Sequence, residues 1–68
     1  MKPLNLSNLR KGDVITILDY KGEPSCYSGK PMQVRAITLP FVYTDHVVND
    51  VIDTRNYTLI RVSKNALK

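Results

Sequence analysis

The residues Leu9-Arg10-Lys11-Gly12-Asp13, followed at once by Val14-Ile15-Thr16-Ile17-Leu18, carry the clearest structural signal in this chain. A glycine-containing turn precedes five residues that are mostly apolar and β-branched, as residues in strands tend to be. In a chain of 68 residues this pattern predicts a compact all-β domain with a first strand over 14–18. Because only Thr16 is polar in the run, we expect this strand to be buried on one face and half covered on the other.

Later runs of apolar and β-branched residues predict the other strands, separated by proline or by polar residues. In the second strand, Met32, Val34 and Ala36 alternate with Gln33 and Arg35, so Arg35 is expected to face solvent. The register between Pro40 and Asn56 is left open. The predicted segments are Met32 to Leu39, Phe41 to Thr44, Val47-Val48 and Val51-Ile52 about an Asn49-Asp50 turn, and Tyr57 to Val62.

The segments between strands are predicted from residues that favour turns. The stretch from Asp19 to Pro31 contains two glycines, two prolines and two serines, which predicts a long, hairpin-like loop. Ser7-Asn8-Leu9 predicts a short 3₁₀ turn whose neighbouring leucines cover the core. Ser63 before Lys64-Asn65-Ala66-Leu67 predicts a capped terminal turn. No stretch has the length and periodicity of a long amphipathic helix.

Length and composition favour a binding module over an enzyme. Residues 1–68 are expected to form one domain with a thin core, too small to enclose a cleft for a small-molecule substrate. A single cysteine excludes an internal disulfide, which indicates a reducing compartment. No apolar run resembles a signal peptide or a membrane span. We therefore expect a cytoplasmic, non-enzymatic protein that needs no cofactor and contacts no membrane.

The predicted architecture resembles the SH3-like small β-barrel superfamily. The resemblance rests on 9–14 as the opening of the barrel, on Tyr20 to Lys30 as a long first loop, and on Tyr57 to Val62 with its terminal turn. It implies a five-stranded barrel, and a five-stranded OB-like barrel is the alternative. The chain has no tryptophan, unlike peptide-binding SH3 domains, so a proline-rich ligand is not expected. SH3-like barrels of nucleic-acid-associated proteins and of small phage or bacterial proteins are more similar.

The net charge of +4 comes from the two ends of the chain. Residues 1–11 and 61–68 each carry three cations and no acid, whereas residues 12–60 carry four cations and six acids. In an SH3-like barrel the first and last strands are commonly neighbours, which would join the two ends in one basic patch. Such a patch would bind the phosphates of a nucleic acid, and the alternative is that the basic ends are only solvated and keep the protein soluble. Its predicted residues are Lys2, Arg10, Lys11, Arg61, Lys64 and Lys68.

A second candidate surface combines aromatic and basic residues. Tyrosine rings beside cations can form a groove in which bases stack or a peptide lies, although tyrosines of small barrels more often bury their rings at the edge of the core. The alternative function is therefore a protein-protein adaptor or inhibitor that uses the Tyr20 to Lys30 loop or an exposed sheet edge. The predicted residues of this surface are Tyr20, Tyr27, Lys30, Arg35 and Tyr43.

Catalytic and metal sites are not predicted. Cys26 and His46 are the only cysteine and histidine of the chain and have no motif around them, so a nucleophile with its base is not expected. The same two residues fall two ligands short of a structural zinc site. Asp53 and Arg55 are expected to pair with each other or to fix a turn.

Overall fold

The computed structural model of this chain describes residues 4–67. The regular elements are five strands and two short 3₁₀ turns, so the all-β prediction is confirmed. The third and fifth strands have the bounds predicted from the sequence, and the first is two residues longer. The elements are η1 (Leu6–Asn8), β1 (Val14–Tyr20), β2 (Met32–Thr38), β3 (Phe41–Thr44), β4 (Val51–Asp53), β5 (Tyr57–Val62) and η2 (Lys64–Leu67).

The five strands form one antiparallel sheet in the order β4-β3-β2-β1-β5. The first and last strands are neighbours, as expected, with Val14 opposite Val62 and Tyr20 opposite Tyr57. The sheet is open, because β4 and β5 stand at its two ends and do not pair with each other within residues 4–67. A closed barrel therefore stays a prediction.

The core lies on one face of the sheet, where all strands contribute buried side chains. Leu4 and Leu6 of the N-terminal segment pack against this cluster, and the backbone N–H of Leu4 donates to the Leu59 carbonyl at 2.7 Å. The expectation that these leucines cover the core is confirmed. The buried residues of the cluster are Leu9, Ile15, Ile17, Met32, Val34, Val42, Ile52 and Leu59.

The second face of β1 is covered more completely than the alternation of the sequence indicated. Val14 and Thr16 lie on the face opposite Ile15 and Ile17, yet both are buried. The 3₁₀ turn η2 contacts β1, and its predicted cap is confirmed because Asn65 N–H donates to Ser63 Oγ at 3.2 Å. The first strand is consequently buried on both faces over its first four residues.

The alternation predicted for β2 is wrong beyond Val34. Val34 lies opposite Thr44, and both are buried, but the next pair along the ladder is Ala36 opposite Tyr43, and both are exposed. Between these pairs β2 has one residue more than β3, so Arg35 occupies a β-bulge. A bulge reverses the face on which all later side chains lie. Ala36 is therefore on the outer face instead of in the core.

The prediction of a short β segment at Val47-Val48 is also wrong. The pairing of β3 with β4 begins at Tyr43 opposite Val51, so the intervening residues form a loop. His46 Nδ1 accepts hydrogen bonds from the backbone N–H groups of Val48 and Asn49, which uses donors that a strand would need for its ladder. The two valines therefore lie exposed in a turn.

Candidate nucleic-acid interface

The sheet brings the two basic ends of the chain to the same place. Arg10 and Lys11 belong to the turn that precedes β1, and Lys64 begins the 3₁₀ turn that follows β5, while Val14 and Val62 are paired directly. Arg61 lies one residue before Val62 on the same strand. We call the four exposed cations Arg10, Lys11, Arg61 and Lys64 the basic strip. Lys2 and Lys68 lie outside the described residues.

An acidic residue moderates the charge of the basic strip. Arg61 Nη2 donates to Asp13 Oδ2 at 3.1 Å and to the backbone oxygen of Asn8 at 2.6 Å. The same Asp13 oxygen accepts from the backbone N–H of Arg10 at 2.8 Å. Arg61 thus holds the turn before β1 against β5, and its charge is largely offset there. Arg10, Lys11 and Lys64 take part in neither ion pair found among residues 4–67.

A shallow polar groove extends the basic strip across the start of β2. It has a volume of about 360 Å³ and contains two cations, Lys11 and Arg35, one from each of the two predicted surfaces. Gln33 Nε2 donates to the Gly12 carbonyl at 3.3 Å, which fixes one wall of the groove. We call it the Lys11 groove; its lining residues are Lys11, Gly12, Gln33, Val34 and Arg35.

A second groove, of about 270 Å³, shares Arg35 with the first. It is lined by Tyr43, which is paired with Ala36 on one side and with Val51 on the other and keeps 36% of its surface exposed. The structure therefore brings together Arg35 and Tyr43 of the predicted aromatic-basic surface. We call this the Tyr43 groove; its lining residues are Arg35, Ala36, Tyr43, Thr44, Asp50 and Val51.

The other predicted aromatic residues make separate contacts. Tyr20 lies 4.7 Å from the ring of Tyr57, measured between centroids, at the far end of the β1–β5 pair. Tyr27 is half-buried against the core, and its ring meets the His46 ring edge-on at 5.6 Å. Lys30 Nζ lies 5.9 Å from the centroid of Tyr27. Neither tyrosine lines the grooves around Arg35.

The loop between β3 and β4 was not predicted from the sequence. Its backbone is fixed by Thr44 Oγ1, which donates to the Asn49 carbonyl at 2.7 Å, and by the two bonds to His46 Nδ1. Val47 is 93% exposed and Val48 is 59% exposed at the tip. The sequence feature that indicates this loop is the succession His46-Val47-Val48-Asn49, in which two apolar residues stand between two polar residues.

Asp53 and Arg55 form an ion pair with a structural role. The guanidinium of Arg55 donates to both oxygens of Asp53, and this hydrogen bonding, with a further bond from the Arg55 N–H, holds the pKa of the Asp53 carboxyl below its ordinary value. The predicted pairing of these two residues is confirmed. Among residues 4–67 no three His, Cys, Asp or Glu side chains are grouped so that they could hold a metal ion. Cys26 is exposed and forms no disulfide within the described residues.

No protein family, curated protein sequence or solved structure matches this chain. In the part of the chain that the structure describes, no helix has the length and apolar character needed to cross a membrane. The proposed function therefore rests on the charges and grooves of the protein surface.

Proposed function

We propose that this protein is a small, non-enzymatic, SH3-like β module that binds nucleic acid through the basic strip and the Lys11 groove. The observation that carries the proposal is the direct pairing of β1 with β5, which makes neighbours of cations about fifty positions apart in the chain. The order of the strands, with β1 between β2 and β5, and the 3₁₀ turn after β5 support the SH3-like part of the proposal.

The charges on this surface suit a phosphate backbone. Three exposed cations of the basic strip are outside the Asp13–Arg61 pair, and Arg35 adds a fourth across the Lys11 groove. Each cation that neutralises a phosphate releases a counterion, so affinity falls as salt rises. A shallow groove that contains cations accommodates a polyanion better than it accommodates a small molecule, which needs an enclosed pocket.

The test is a titration of labelled oligonucleotides at roughly 50 and 200 mM salt. With three to four phosphates neutralised, the logarithm of the affinity should fall against the logarithm of the salt concentration with a slope of about −3. The double variant Lys11→Gln/Lys64→Gln should reduce that slope by about 2. Absence of binding at the lower salt concentration would refute the proposal.

A matched control is the double variant Lys21→Gln/Lys30→Gln. It removes the same charge from the loop after β1, where the two ammonium groups lie over the rings of Tyr20 and Tyr27. It should leave the slope nearly unchanged. If both double variants weaken binding equally, the contact depends on net charge and not on the basic strip.

The exposed, hydrogen-bonded Val47-Val48 turn favours a second candidate function, the docking of an extended segment of another protein. β4 ends the sheet and carries an exposed Val51, so its outer edge offers unpaired backbone groups next to the two valines. A turn held in one conformation loses little entropy on binding. A pull-down that recovers every partner equally with Val47→Ser/Val48→Ser would exclude this surface.

A further inference from the structure

The Tyr43 groove has the features of a site for an unpaired base. Tyr43 lies in a row across three strands, with the short side chains of Ala36 and Val51 beside it. An aromatic ring that stands between short neighbours on an outer sheet face can accept the flat face of a base. The four tyrosines differ in this respect, because Tyr20 and Tyr57 contact each other with tilted rings and Tyr27 packs on the core.

The β-bulge in β2 places two consecutive residues, a cation and an alanine, beside this ring. Because β2 has one extra residue at this point, both Arg35 and Ala36 lie opposite Tyr43, whose own outward direction follows from the regular alternation of β3. Arg35 in consequence lines both grooves. The cationic Lys11 groove and the aromatic Tyr43 groove are thus adjacent and share Arg35 as a lining residue.

The distribution of charge gives this surface a direction. Lys11 and Arg35 lie at one end, where a phosphate would be favoured, and Asp50 lines the opposite end of the Tyr43 groove, where a phosphate would be repelled. A carboxylate can accept a hydrogen bond from the exocyclic amino group of a base. The backbone of a bound strand is therefore expected at Lys11 and Arg35, with a base turned toward Tyr43 and Asp50.

We propose that the ligand of this surface is single-stranded nucleic acid, with phosphates at Lys11 and Arg35 and one base stacked on Tyr43. The proposal rests on the nucleic-acid function proposed above and names its substrate class. A duplex keeps its bases paired and stacked, so it can offer phosphates to the cations but no free base face to the ring. Single strands should therefore bind more tightly than duplexes of equal length.

The experiment measures fluorescence anisotropy of a labelled single strand and of the corresponding duplex with four proteins. Tyr43→Leu should weaken single-strand binding about tenfold and leave duplex binding unchanged, because it removes the stacking surface but no charge. Tyr43→Phe keeps an aromatic face and should retain the wild-type affinity. Tyr20→Leu removes a tyrosine of similar exposure at the far end of β1 and should have no effect.

A fifth protein, the Arg35→Gln variant, separates the role of the ring from that of the charge. Arg35→Gln should reduce the salt slope by about 1, whereas Tyr43→Leu should leave the slope as it is. Equal affinity for the single strand and the duplex, or a Tyr43→Leu protein that binds the single strand as wild type does, would overturn the inference while leaving the basic strip intact. Absence of binding to either oligonucleotide at low salt would remove the proposed function as well.

Discussion

Arg61 is hydrogen-bonded to Asp13 at 3.1 Å, so the last strand is joined to the turn that opens the first. Both side chains are partly exposed, and an isolated surface pair of this kind contributes little stability. Its effect on the surface is larger, because the carboxylate offsets one cation of the basic strip and leaves the arginine in a fixed place. Asp13 is therefore the residue that limits how strongly the strip attracts a polyanion.

Replacement of Asp13 by asparagine should strengthen nucleic-acid binding and weaken the fold slightly. The charge of Arg61 is then no longer offset, which should raise affinity about threefold at low salt. Loss of the carboxylate that accepts from Arg10 N–H should lower the free energy of unfolding by about 1 kcal/mol. Asp19→Asn makes the same charge change at the other end of β1 and is the control. Equal gains in the two variants would contradict the role given to Asp13.

Replacement of two buried threonines by valine should change the free energy of unfolding in opposite directions. Thr16 Oγ1 has no hydrogen-bond partner among the described residues, so Thr16→Val should raise the free energy of unfolding by about 1 kcal/mol. Thr44 Oγ1 donates to the Asn49 carbonyl and accepts from His46 N–H, so Thr44→Val should lower it by about 1–3 kcal/mol. Denaturant unfolding measures both changes, and a shared sign would contradict the assignment.

Gly12→Ala should destabilise the protein by about 1–2 kcal/mol through backbone strain. Gly12 has a φ of 94°, a conformation that residues with a Cβ rarely adopt, and its N–H donates to the Val34 carbonyl at 2.9 Å. A Cβ at this position would meet no atom within 4 Å, so the cost is conformational and not steric. Thermal unfolding of the alanine variant measures it. A variant as stable as wild type would show that the turn tolerates another conformation.

His46→Ala should loosen the β3–β4 loop. The variant removes the nitrogen that accepts from the N–H groups of Val48 and Asn49, so hydrogen exchange of these two amides should accelerate. His46→Asn supplies a side-chain oxygen that can accept from backbone N–H groups two and three residues on, and it should restore most of the protection. If both variants exchange as wild type does, the loop is held by Thr44 alone.

The Asp53–Arg55 pair should contribute to stability in a pH-dependent way. Because hydrogen bonds from Arg55 lower the pKa of Asp53 in the folded chain below its ordinary 3.8, the contribution is complete above that pH and is lost as the pH falls through the folded value. Asp53→Asn should therefore make unfolding less sensitive to acid below pH 3.8. Glu23→Gln, at a residue outside both ion pairs of the described chain, is the control. Equal acid sensitivity in wild type and Asp53→Asn would contradict this.

Most strands could be predicted because their signals are local. Runs such as Phe41–Thr44 and Tyr57–Val62 combine β-branched and aromatic residues between clear breaks, and both have the predicted bounds. The alternation of β2 could be followed only as far as Val34. The bulge depends on how β2 fits against its neighbours β1 and β3. An arginine at position 35 does not indicate a bulge, so the sequence does not predict it.

The candidate site, too, could be predicted from the sequence only in part. Which residues carry positive charge and which carry aromatic rings can be read directly from the chain, because these are properties of single side chains. Their arrangement in space follows from long-range contacts: the pairing of β1 with β5 joins the basic ends, the pairing of β2 with β3 sets Arg35 and Ala36 opposite Tyr43, and Tyr27 packs on the core. The physical reason is that strand pairing and burial depend on contacts between distant segments, which local residue preferences do not encode.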